Sequence, residues 1–61
     1  MLSWREALVQ EVLQKNGGVM TEMEIYECVK EEMGKVTVYN ALINLEALNM
    51  IYPVTNRSWR A

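Results

Sequence analysis

A chain of 61 residues with one cysteine and no histidine must hold itself together by apolar packing. Chains this short bury only about 60% of the surface their unfolded form exposes, so their stability is marginal without help from a staple, a partner or unusually economical packing. Cys28 alone cannot close an intramolecular disulfide. All eight acidic side chains are glutamates, and without histidine a Cys/His zinc site cannot be assembled. What remains is one small core in a single domain spanning 1–61, self-contained or shared with a partner. Hydrophobic residues at 51% and charged residues at 23% suit a globular chain of this kind.

The same inventory argues against an enzyme. General acid–base catalysis at neutral pH relies most often on histidine. Ser3 and Ser58 are the only serines, and Cys28 has no histidine to activate it. Gly17-Gly18 is an isolated pair, not a phosphate-binding loop, so no metal or cofactor is implied. No apolar run approaches the ~20 residues of a membrane span. Met1-Leu2-Ser3-Trp4-Arg5-Glu6 lacks a basic stretch followed by an apolar one. With a free cysteine, these features lead to the expectation of a cytoplasmic protein without a membrane partner.

Capping signals divide the chain. Ser3-Trp4-Arg5-Glu6 has the S-x-x-E form of a capping box, and Trp4, Leu8 and Val12 recur every fourth residue. Asn16-Gly17-Gly18 supplies the positive-φ stop, so a first helix is expected over 3–16. Val19-Met20 is too short for more than an extended connector. Thr21-Glu22-Met23-Glu24 is a second capping box, and Ile25, Cys28, Val29 and Met33 share one face, predicting a second helix over 21–33. Gly34 is expected as its C′ residue.

A third helix is expected over 35–49, with Val38, Leu42, Leu45 and Leu48 as its apolar row. Its other side carries Thr37, Asn40, Ala41 and Asn44, polar yet almost uncharged, which is unusual for a solvated helix. In 50–61, Ile51-Tyr52-Pro53-Val54 and Ser58-Trp59-Arg60-Ala61 flank a short polar turn and predict a hairpin. Pro53 cannot donate to a ladder, so its strand must be an edge or be interrupted there.

Helix, helix, turn, helix, hairpin is the order of a winged helix-turn-helix. The run Met20-Thr21-Glu22-Met23-Glu24-Ile25-Tyr26-Glu27-Cys28-Val29 resembles the second-helix region of the ferric uptake regulator family. Thr37-Val38-Tyr39-Asn40-Ala41-Leu42, followed by Leu45-Glu46-Ala47-Leu48-Asn49-Met50-Ile51, is similar to that family's recognition helix. The resemblance covers about 17–51 and implies a mostly α winged helix with a short C-terminal hairpin wing. Asn40 stands where the family usually has arginine, and Asn49 where it has glycine, a change that asparagine's tolerance of left-handed backbone allows. The family's dimerisation domain and metal-binding histidines have no counterpart, so metal sensing is not implied.

Charge is segregated along the chain. Residues 1–32 carry three basic side chains against seven glutamates, a net −4, whereas 33–61 carry three against one, a net +2. The implied function is a small DNA-binding transcriptional regulator, with the third helix in the major groove of double-stranded DNA and the wing on the backbone. The candidate contacts are Lys35, Thr37, Tyr39, Asn40, Asn44, Asn56, Arg57 and Arg60. Asparagine pairs bidentately with adenine, so Asn40 and Asn44, one turn apart, are either base readers or solvated polar residues. Thr37 touches phosphate or caps its helix. Tyr39 bonds a phosphate, as its family counterpart suggests, or packs beneath the wing. Arg57 and Arg60 are wing contacts or a solvated edge.

About three phosphate contacts per chain is few for a DNA-binding domain, and a symmetric homodimer would double them. The acidic total favours an alternative, a winged helix that binds a protein partner or acts as a small inhibitor without touching DNA. Trp4 and Trp59 either pack on each other in the core or mark an interface. The five methionines are expected as core filler, and Cys28 as a buried, inert thiol. Glu27, Glu31 and Glu32 form a solvated face or a docking patch for a basic partner.

Overall fold

The computed structural model describes residues 2–61. Its first element, helix α1 (Trp4–Asn16), is fixed at both ends by local chemistry. The Ser3 hydroxyl accepts from the Glu6 N–H at 3.3 Å while the Glu6 carboxylate accepts from the Ser3 N–H at 3.0 Å. Both halves of the capping box are therefore made. Gly17 ends the helix at φ 70°, and its N–H donates to the Leu13 carbonyl. Strand β1 (Met20–Thr21) follows, then helix α2 (Glu22–Val29), whose Thr21/Glu24 box is also complete.

Three expectations are corrected here. The connector at Val19-Met20 includes a strand residue, because Met20 and Thr21 pair with the C-terminal strand. Helix α2 stops at Val29, not Met33. The Glu32 and Met33 N–H groups both bond the Val29 carbonyl, a tight turn that carries Met33 into the core, and the 30–32 segment stays exposed. A helix continued through Lys30-Glu31-Glu32 would have extended three charged residues for one further apolar contact. Gly34 is correspondingly not the C′ residue of α2. At φ −85° and ψ 175° it is the N-cap of helix α3 (Lys35–Ala47).

Helix α3 buries Val38, Ala41, Leu42 and Leu45 against α1 and α2. It ends two residues before the expected 49, with Leu48 as C-cap and Asn49 in the left-handed region at φ 59°. Asparagine does here what glycine usually does. The chain then turns back through buried Ile51 into strands β2 (Tyr52–Thr55) and β3 (Ser58–Arg60).

The three strands form an antiparallel sheet in the order β1-β3-β2, with Met20 opposite Trp59 and Pro53 opposite Trp59 on the other side. Pro53 thus lies on an edge strand, and the register shifts between Pro53 and Thr55. The hydroxyls of Thr55 and buried Ser58 share a 2.6 Å hydrogen bond that closes the hairpin. Three helices and this small sheet enclose one core, centred on Val9, Leu13, Ile25, Leu42, Leu45 and Ile51.

The tryptophans separate. Trp59 is 2% exposed, and its indole N–H donates to Glu46 at 3.0 Å. Trp4 is 55% exposed, outside the core, with the Arg5 guanidinium 4.7 Å from its ring. Their expected mutual packing is not formed, because Trp4 sits in the first turn of α1 on the side away from Val9 and Leu13. Cys28 is exposed as well, not buried. The narrow buried face of α2 is taken by Ile25 and Val29, which leaves Cys28 on the flank toward α1.

Two neighbours on α3 test this packing. Leu42→Ala removes a fully buried side chain and should cost about 2–5 kcal/mol in urea unfolding. Ile43→Ala, on the outward side, should stay within about 0.5 kcal/mol of the parent.

Candidate nucleic-acid interface

Burial orients α3. With Val38, Ala41, Leu42 and Leu45 turned inward, the 3.6-residue period sends Val36, Tyr39, Asn40, Ile43 and Ala47 outward. All five are exposed, Val36 to 74%. The face is uncharged, as expected, but its membership differs. Ala41 is buried and Thr37 half-buried. Val36 and Ile43 take their places, and neither was among the expected contacts. The helical period around the Val38–Leu42–Leu45 row was the signal that could have found them.

Asn44 is drawn to the flank. Its amide donates to the Glu6 carboxylate on α1 at 2.8 Å. That bond ties the two helices, so Asn44 turns toward α1 and Asn40 alone keeps an unengaged amide on the outward face among the described residues. Thr37 makes no cap, since α3 has no side-chain hydrogen bond at its N-terminus.

The basic residues are brought together only in part. The Glu22 N–H donates to the Arg57 carbonyl at 2.9 Å, which pins the hairpin turn to the start of α2. Arg57 and Lys35 consequently line one groove of about 300 Å³, with Thr21, Glu22, Met23 and Tyr26 as its floor and walls. The Lys35 ammonium lies 5.5 Å from the Tyr26 ring centre. The Arg57 guanidinium meets the Glu22 carboxylate at 3.4 Å, a solvated contact of little strength because Arg57 is largely exposed. Asn56 shares the exposed turn.

Arg60 does not join them. It stacks over Tyr52 at 4.9 Å and lines a separate depression beside Gly17, Gly18 and Val19, at the base of the hairpin. Tyr39 is exposed on the outward face, outside the core cluster. No group of three or more Cys, Asp or Glu side chains placed to hold a metal ion occurs among the described residues. No helix among them is long and apolar enough to cross a membrane.

Comparison with models of known protein families, with curated proteins and with solved structures finds no match in any of the three.

The Glu6–Asn44 tie has a titration signature. The Ser3 backbone N–H holds the Glu6 carboxyl below its ordinary value, and the Asn44 amide adds to the effect. A carboxyl lowered on folding adds stability above the usual glutamate range, and that stability is lost as pH falls through the folded pKa. In an NMR titration of the Glu6 carboxyl, Asn44→Ala should move the midpoint part of the way back up, because the Ser3 bond remains. An unchanged midpoint would mean that the Asn44 amide is free to face outward.

Proposed function

We propose that this chain is a small winged helix-turn-helix that binds double-stranded DNA and serves as a transcriptional regulator. In this reading α2 and α3 are the helix-turn-helix pair, α3 enters the major groove, and the β2–β3 hairpin is the wing. The observation that carries it is the shared groove of Lys35 and Arg57, which brings a cation from the start of α3 beside a cation from the hairpin turn. These two lie 22 positions apart in sequence, and a phosphate backbone crossing the groove would meet both.

Two further features support the reading. Helices α1 and α2 have complete capping boxes, whereas the first N–H groups of α3 have no side-chain acceptor. A phosphate oxygen satisfies such groups well. The outward face of α3 also carries no carboxylate to repel DNA: Glu46 is bonded to Trp59 on the flank, and Glu6 to Asn44. Lys35 and Arg57 together would neutralise about two phosphates, giving a log–log salt slope near −2. A monomer then binds weakly, and a symmetric dimer on two half-sites binds usefully.

One observation favours a second reading, a winged helix that docks on another protein. Val36 and Ile43 place aliphatic surface on the outward face of a chain whose net charge is −2.

A backbone amide NMR titration with a mixed-sequence duplex, at low and then moderate salt, distinguishes the two. DNA binding predicts shifts confined to 35–44 and 56–60 that fade as salt rises. Lys35→Ala and Arg57→Ala should each weaken binding on every sequence and reduce the salt slope by about 1. An absence of shifts at low salt would leave the protein-docking reading.

A further inference from the structure

The chemistry of the outward face of α3 limits which base pairs it could read. Guanine offers two acceptors, N7 and O6, in the major groove and is matched by the paired donors of arginine or lysine. The face of Val36, Tyr39, Asn40, Ile43 and Ala47 holds neither. Lys35, the nearest cation, is turned toward the Tyr26 ring in the groove beside α2. Adenine offers N7 as an acceptor and N6 as a donor, which an asparagine amide matches with its N–H and C=O. Asn40 has that amide without a protein partner among the described residues, whereas Asn44 spends its own on Glu6.

The aliphatic neighbours sharpen the choice. Val36 precedes Asn40 by four residues and Ile43 follows it by three, so they lie about 6 and 4.5 Å from it along the axis. With base pairs stacked about 3.4 Å apart, each falls one to two steps from the base that Asn40 meets. At that height thymine presents a C5-methyl group, which an aliphatic side chain covers favourably. Cytosine carries only a hydrogen at C5, so Val36 or Ile43 would find no methyl group to cover there.

We infer that α3 reads an A·T segment of the major groove, Asn40 engaging an adenine while Val36 and Ile43 lie against thymine methyl groups on either side. The inference rests on the DNA-binding reading above and supplies its base preference. Specificity would then come from one amide and two aliphatic side chains, with Lys35 and Arg57 holding the register through phosphates.

Fluorescence anisotropy at low salt tests this on the full chain with three duplexes of equal length. One contains every A·T dinucleotide step, the second is the same duplex with uracil for thymine, and the third is all G·C. Uracil keeps the pairing and removes only the C5-methyl group. The A·T duplex should bind tenfold or more tighter than the G·C duplex, and uracil should lose at least threefold. Asn40→Ala, at an exposed helical position that alanine favours, should cut the A·T preference to about the threefold that the methyl contacts supply.

Equal affinity for all three duplexes would overturn the inference and leave DNA binding standing. So would an A·T preference that uracil does not diminish, since Val36 and Ile43 would then not lie against thymine methyl groups. No binding to any duplex would overturn the parent reading as well.

Discussion

The indole of Trp59 is the point on which sheet and helices are joined. It lies on β3, the central strand, paired with Met20 of β1 on one side and Pro53 of β2 on the other. A three-residue strand between a two-residue strand and one containing proline has few ladder bonds to hold it. Burial of Trp59 in the core supplies what the ladder lacks. Its N–H would be costly to bury unpaired, and Glu46 at the last turn of α3 accepts it. One side chain thus fixes the sheet against the helices, and the Glu22–Arg57 backbone bond fixes the hairpin turn against α2. The relation between the start of α3 and the hairpin turn, on which the candidate interface depends, follows from these two anchors.

What the sequence displayed clearly was local. Ser3/Glu6, Thr21/Glu24 and Gly17 each act within three or four residues, and the structure forms all three as expected. The hairpin with its proline edge was legible for the same reason. Features that depend on distant partners were not. Met20-Thr21 is a strand only because Ser58-Trp59 lies beside it, and two residues cannot show a period. The end of α2 was misread because Met33 keeps helical spacing with Ile25 and Val29, yet reaches the core through a turn. Gly34 looked like a helix stop for the same reason, and serves as the beginning of the next helix. Cys28 and Trp4 lie on stripes of helical spacing in α2 and α1, but each buried face is narrower than its stripe.

The candidate interface shows the same division. That α3 has an uncharged side was readable from Thr37, Asn40 and Asn44. Which residues occupy the centre of that side was not, because the inward direction is set by packing on α1 and α2. Packing rotates the face toward Val36 and Ile43 and brings Asn44 within reach of Glu6. The basic residues were all visible in sequence, yet nothing there paired Lys35 with Arg57 or sent Arg60 to the far end of the hairpin.

This division bears on how such a small surface would discriminate between ligands. A strongly basic domain gains most of its affinity from phosphates and adds base contacts to a large non-specific background. Here two cations share a groove, one of them beside a glutamate, and the chain as a whole is acidic. On the DNA-binding reading the non-specific background is low, and base contacts make up a larger fraction of the total. Few residues then suffice for a high ratio of specific to non-specific binding, at the cost of weak absolute affinity. A second copy on an adjacent half-site restores affinity without altering that ratio at each half-site, because it repeats the same contacts.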